Sequence, residues 1–155
     1  MGSPKYSDAD CPFCDWPQML PVLLEQGENF YIIAARFALF PGHILINSRA
    51  HLPCIGALPP THLAELEQMR LLVRRFLNDE YGKASFWENG ASYQHVPHMH
   101  LHGMPVHQEL PTPEMVRTYP VSGISDLPAW YAQHGPYHYL QGELGTYVMR
   151  PGFDV

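Results

Sequence analysis

At 155 residues the chain has the size of one domain with one core, and its 46% hydrophobic content suits a soluble globular protein. A net charge of −6 with scattered Lys and Arg offers no basic stripe for nucleic acid, although a small anionic ligand needs only a few donors. The polar opening lacks a secretory run. The longest apolar stretch, Phe30 to Phe40, is broken by Arg36 and is too short for a bilayer, so a soluble, cytoplasmic protein without membrane or nucleic-acid partners is expected.

Residues 1–28 read as irregular, broken by Pro12, Pro17 and Pro21. Asn29–Ala35 and Arg36–Phe40 are rich in β-formers and read as neighbouring strands. Pro41-Gly42 marks a turn before an apolar strand over His43–Ser48. The clearest element runs from about Pro60 to Tyr81: Leu63, Leu66, Met69, Val73, Phe76 and Leu77 fall on one helical face. Thr61 is a candidate N-cap, and Gly82 suits a left-handed stop. Ala84–Glu88 reads as a short strand, Asn89–Pro97 as a loop and His98–Val106 as a strand. In the Pro-rich tail, Tyr137–Gln141 and Thr146–Arg150 flank a turn and suggest a hairpin. The pattern predicts an α+β domain over residues 1–155: an antiparallel sheet of about five strands, one main helix packed on it, a core of about residues 11–106 and a C-terminal extension over 107–155.

Ten histidines are many for this length, and four of them fall in the run His95-Val96-Pro97-His98-Met99-His100-Leu101-His102-Gly103-Met104. Side chains alternate faces along a strand, so His98, His100 and His102 would share one face while Met99 and Leu101 seal the core; Gly103 permits close backbone approach. The apolar interleaving is unlike a purification tag. Taken alone, the triplet suits a three-histidine metal site and a nucleophilic site equally well.

Three cysteines, an odd count, argue against a disulfide framework. Cys11-Pro12-Phe13-Cys14 is a Cys-x2-Cys pair, which alone fits a redox pair or two free thiols. With His51 and His98 available, four ligands exist for a tetrahedral structural zinc. Cys54 lies outside the pattern and reads as a small buried side chain; His43 reads as structural.

The run His98-Met99-His100-Leu101-His102, the stretch from Pro41-Gly42-His43 to His51, and Asn89, Gly90 and Gln94 ahead of the first histidine together resemble the histidine triad (HIT) family over residues 11–106. The resemblance implies that His100 is a nucleophile attacking the α-phosphorus of a nucleotide to form a nucleotidyl-histidine. It implies that the carbonyl of His98 pins the His100 ring and that His102 donates to phosphate oxygens. Gln94 would orient the phosphate. Asn47 and Asn89 would add polar contacts, and Arg49 is the nearest cation. The family carries Gly before that Gln and Ser or Thr after it; here Tyr93 and His95 stand there, so His95 is a candidate for protonating the leaving group. Cys11, Cys14, His51 and His98 match the zinc ligands of many family members, and a homodimer through the helix and a strand edge is expected by the same resemblance.

Two enzyme readings follow: hydrolysis of nucleoside phosphoramidates or dinucleoside polyphosphates, and nucleotidyl transfer or phosphorolysis. His102, where related uridylyltransferases carry Gln, favours hydrolysis. A nucleotide-binding module with a vestigial site fits poorly with a complete triad, and a metal oxygenase lacks its usual carboxylate nearby.

Overall fold

The computed structural model describes residues 9–107 and 116–151. One antiparallel sheet of eight strands forms the frame, in the order β1-β2-β3-β5-β4-β7-β8-β6. The strands are β1 (Leu23–Gln26), β2 (Phe30–Ala34), β3 (Ile44–Ser48), β4 (Ser85–Asn89), β5 (His100–Met104), β6 (Val116–Pro120), β7 (His138–Gly142) and β8 (Gly145–Pro151). Among the described residues three α-helices join them: α1 (Trp16–Met19), α2 (Leu63–Tyr81) and α3 (Leu127–His134). The architecture is α+β with one main helix, as expected, but with eight strands rather than five. Among the described residues no helix is long and apolar enough to cross a membrane.

α2 lies on one face of the sheet and buries Leu66, Met69, Val73 and Leu77 against Phe30, Ile32, Ile46, Phe86 and Leu101. Gly103 lets it come this close. A Cβ there would stand 2.9 Å from Val73 and 3.1 Å from Phe86, so any side chain would push helix and sheet apart. Phe76, expected in the core, is 45% exposed, while Arg70 is buried over the Phe86 ring and paired with Glu67. Thr61 does not cap α2; a 3-10 turn over Pro60–His62 leads into it instead. Glu65 in the first turn accepts hydrogen bonds from the backbone and side chain of Asn29, stapling the β1–β2 turn to the helix. Gly82 ends α2 at φ 78°, as expected.

Two strand expectations change. Leu23–Gln26, inside the segment read as irregular, is a strand, because it finds an antiparallel partner in β2. Arg36–Phe40 is not a strand: it is the β2–β3 connection, closed by Ala35 N–H to His43 O and His43 N–H to Phe40 O. Its apolar residues lack the alternation that would give it a buried face, and Phe37 stands in solvent. The hairpin over residues 138–151 forms as expected and continues the main sheet, β7 pairing with β4 and β8 with β6. β4 therefore has both edges paired, and the sheet ends at β1 and β6.

A buried polar knot fastens the C-terminal region to the rest. The Glu88 carboxyl group accepts the Ile55 N–H at 2.8 Å and the Tyr137 hydroxyl, whose oxygen accepts the Gly56 N–H at 3.0 Å. Burial pushes the Glu88 carboxyl up to about 8 against the pull of both donors. Leaving one such donor without a partner costs about 1–3 kcal/mol. The knot thus makes β7 an integral neighbour of β4.

Candidate functional site

The opposite face of the sheet carries the histidines. Residues directly opposite on paired strands point to the same face. Asn47 is opposite His100, Leu45 and Trp87 are opposite His102, and Tyr31 is opposite Asn47. His100 and His102 share that face as expected. His98 stands just before β5, which begins at His100, and its ring packs edge-on to Phe13, whose ring also lies over His100.

There His98 meets Cys11, Cys14 and His51. One donor atom from each of the four lies within 4.8 Å of all the others. Cys11 Sγ and Cys14 Sγ are 3.4 and 3.5 Å from His98 Nδ1, Cys14 Sγ is 3.3 Å from His51 Nδ1, and the two Nδ1 atoms are 3.2 Å apart. Tetrahedral bonds of zinc length would set such edges at about 3.3–3.8 Å. On its other side His98 Nε2 is 2.7 Å from the Ser48 carbonyl, which can only accept. The proton therefore sits on Nε2, and the Nδ1 lone pair faces the cluster, the tautomer that a metal ligand requires. The donor set fits a metal ion.

His98 also fixes His100. Its backbone carbonyl accepts from His100 Nδ1 at 2.6 Å, so the proton is on Nδ1 and the Nε2 lone pair is left for another partner. Burial lowers the His100 pKa, opposed by that hydrogen bond, so the ring is neutral at pH 7.

His43 orders the third ring, a role that the sequence reading missed. The Leu39 N–H can only donate, and it does so to His43 Nδ1 at 3.2 Å; His43 Nε2 then carries the proton toward His102 Nδ1, 2.9 Å away. His102 is left with its proton on Nε2. The two rings stack with centroids 5.1 Å apart, and Trp87 lies 5.0 Å away on the other side. Burial, His100 and His43 push His102 down to about 2; burial and His100 lower His43. The result is a neutral acceptor, His100 Nε2, beside a neutral donor, His102 Nε2–H, with ring centroids 4.9 Å apart. The signal for His43 was its place after Pro41-Gly42, at the entrance to the strand beside β5.

The other expected residues divide. Asn47 is fully buried beside His100, and its amide nitrogen donates to the Tyr31 hydroxyl, itself tied to the Phe13 carbonyl. Its Oδ1 has no partner among the described residues. Asn89 accepts from His138 Nδ1 at 3.0 Å, and His138 stacks on Tyr93. Gln94 turns its amide nitrogen to the Pro53 carbonyl at 2.5 Å, which anchors the loop. His95 is exposed on that loop. Arg49, expected near a phosphate, is held elsewhere: it donates to Gly27 O and Gln26 Oε1 and lies over the Trp16 ring.

A HIT domain matches residues 21–109, more than half of the chain, and the chain belongs to the HIT family. Solved structures repeat its fold at low identity. A hypothetical protein from Leishmania major is 23% identical with a TM-score of 0.58, over 66% of this chain and 77% of its own. A HIT family protein from Bacillus anthracis is 24% identical with a TM-score of 0.55, over 64% and 75%. The yeast Ap4A phosphorylase Apa2 in complex with Ap4A is 14% identical with a TM-score of 0.55, over 89% of this chain and 62% of its own. The last match thus takes in part of the region beyond residue 109. Comparison with curated proteins finds no match.

The tautomer chain has a direct readout. In an imidazole proton NMR titration, His102 stays neutral from pH 8 down to pH 5, His43 titrates below the ordinary histidine value, and His43→Ala moves the His102 midpoint upward. A His102 midpoint at the ordinary histidine value would contradict the arrangement.

Proposed function

We propose that this chain is a nucleotide hydrolase that works through a covalent nucleotidyl-histidine at His100, acting on nucleoside phosphoramidates or dinucleoside polyphosphates. The carrying observation is the His100 ring: buried, neutral, pinned at Nδ1 and open at Nε2. In the first step the Nε2 lone pair forms a bond to the α-phosphorus. The bond from phosphorus to the leaving nitrogen or bridging oxygen breaks, and its electron pair departs with the leaving group. His95, exposed on the loop, delivers the proton which that group takes up. In the second step water attacks the same phosphorus, losing its proton to solvent, and His100 leaves with its electron pair restored.

His102 supplies the electrostatic part, donating from Nε2 to a non-bridging oxygen as charge redistributes in the transition state. That role needs the donor fixed in advance, which the Leu39–His43–His102 chain does. Asn47, opposite His100 on β3, keeps a buried Oδ1 without a partner among the described residues, and a hydroxyl of the substrate's sugar is the donor proposed for it; such an acceptor left alone costs about 1–3 kcal/mol. Gln94 and Asn89 act one step back, holding the loop and His138. Removal of one well-placed donor typically costs about 10²–10³ in kcat, so His102→Ala belongs in that range.

The cation held by Cys11, Cys14, His51 and His98 is zinc on this reading, since two thiolates and two imidazoles in a tetrahedron are its preferred set. When bound, it crosslinks the N-terminal segment to the sheet and takes no part in bond breaking. A homodimer, if formed through strand edges, has β1 and β6 to use, because β4 is paired on both sides.

Two measurements check these assignments. Intact mass after acid quench of a reaction with adenosine phosphoramidate gains one adenylyl group, and His100→Ala gains none; undiminished turnover by His100→Ala would remove the mechanism. Elemental analysis finds one zinc per chain, lost in Cys11→Ser together with a fall in Tm; a Cys11→Ser protein that keeps zinc would overturn the ligand set.

A further inference from the structure

The C-terminal region reaches the histidine face at the start of β7. His138 lies outside residues 21–109, and the mechanism above gives it no chemical role. Three contacts tie this point to the loop that precedes the triad. The Gly90 N–H donates to the Tyr137 carbonyl at 2.7 Å, His138 Nδ1–H donates to Asn89 Oδ1 at 3.0 Å, and Tyr93 stacks on the His138 ring with centroids 4.3 Å apart. A Cβ on Gly90 would stand 2.8 Å from the Tyr137 carbonyl oxygen, so this close approach requires a glycine.

The register gives that ring its place on the sheet. Trp87 is opposite His102, and Asn89, two residues further along β4, is opposite His138. Asn89 and His138 therefore share the face of His102 and His100. Continuing the β4–β5 register by two residues brings Asn89 level with His100. His138 thus stands two strands across from the nucleophile, about 10 Å away between main chains. Asn89 Oδ1 can only accept, so the His138 proton is on Nδ1 and Nε2 keeps a bare lone pair, which no described residue bonds. Burial lowers the His138 pKa, so the ring is neutral at pH 7. It has the bonding of His100 but stands too far back to reach the phosphorus. What the reaction leaves for it is a proton.

We propose that His138 Nε2 is the base that takes the proton of the attacking water in the second step. The proposal rests on the nucleotidyl-histidine reading above and adds the group through which that proton reaches solvent. Displacement at phosphorus is in line, so water enters on the side away from His100, where the leaving group departed. A hydrogen bond from that water to a ring nitrogen is about 2.8 Å long, and the phosphoryl group and the water fill the rest of the gap between the two rings. As the water oxygen bonds to phosphorus, one O–H electron pair stays on oxygen and its proton passes to His138 Nε2. The bond from phosphorus to His100 Nε2 breaks, and its electron pair returns to the His100 ring. The charged His138 ring then releases the proton to solvent and is neutral again. Asn89 is the positioning residue in this step: it holds the proton on Nδ1 and so keeps Nε2 bare.

The lifetime of the intermediate tests this. Full-length protein is mixed with adenosine phosphoramidate, quenched in denaturant at intervals and weighed as the intact chain. His138→Asn keeps a donor near the place of Nδ1 for Asn89 but loses the base. His138→Phe keeps a flat ring on Tyr93 and loses both nitrogens. Both variants form the adenylyl adduct at close to the wild-type rate, which shows that fold and nucleophile are intact. Its decay slows by about a hundredfold or more, the usual contribution of a placed base. Fluoride, a nucleophile with no proton to lose, restores the decay in both variants and yields adenosine fluorophosphate. A merely structural His138 gives another pattern: His138→Asn then behaves as the wild type, and fluoride rescues nothing. The proposal is overturned if the adduct on His138→Asn decays at the wild-type rate, if fluoride leaves the slowed decay unchanged, or if both variants form no adduct while the wild type does. Adducts of equal lifetime in all three proteins sink the role of His138 and spare the covalent reading; no adduct on any of them, the wild type included, sinks both.

Discussion

His98 holds three partners on three sides, and the site depends on all three at once. Its Nε2–H donates to the Ser48 carbonyl, its Nδ1 faces Cys11, Cys14 and His51, and its own carbonyl receives the His100 ring. Each bond fixes the next: the Ser48 carbonyl sets the tautomer, the tautomer presents a lone pair to the cation site, and the position of the main chain orients His100. Ring hydrogen bonds of this kind contribute about 1 kcal/mol each. Structural zinc sites in small peptides contribute on the order of 10 kcal/mol. With zinc bound as proposed, that difference would make the four-residue cluster the dominant restraint on where the His98 carbonyl lies.

A second line of order reaches the site from the opposite side. Leu39 and His43 are brought to His102 by the β2–β3 connection, the segment whose exposed apolar residues resemble a strand in sequence. The two restraints give neighbouring rings opposite hydrogen-bonding characters although both are neutral. One presents a lone pair and the other a proton. No charged side chain is needed to create the difference, which suits a site where burial lowers the pKa of every ring involved.

Much of this was legible in the sequence, for physical reasons particular to each element. The alternation of His with Met and Leu around His100 admits one strand geometry, and the stripe from Leu63 to Leu77 admits one helix. Cys11, Cys14, His51 and His98 come together because chemistry restricts what four such residues can do in one place. Other features depend on partners remote in the chain. Leu23–Gln26 is a strand only because β2 lies beside it. The hairpin over residues 138–151 joins the main sheet through the pairing of β7 with β4, and Glu88 meets Tyr137 beside it, contacts between remote residues that no local pattern announces. Arg49 is named from its place as the nearest cation and Gln94 from the spacing that resembles the family; in the structure Arg49 donates to Gly27 and Gln26, and Gln94 donates to Pro53. His43 reads as structural in the sequence because its motif, Pro41-Gly42-His43, marks a strand entrance and does not announce the bond to His102, 59 positions away.

The central claim, that His98 couples the cation site to the state of His100, is tested most directly by ¹⁵N chemical shifts of the His100 ring with the site loaded and after chelation under native conditions. The account predicts one tautomer in the loaded protein, protonated at Nδ1 with a bare Nε2, and a mixture of tautomers once the cation is removed. A His100 ring protonated at Nε2 in the loaded protein, or one whose shifts ignore chelation, would contradict it.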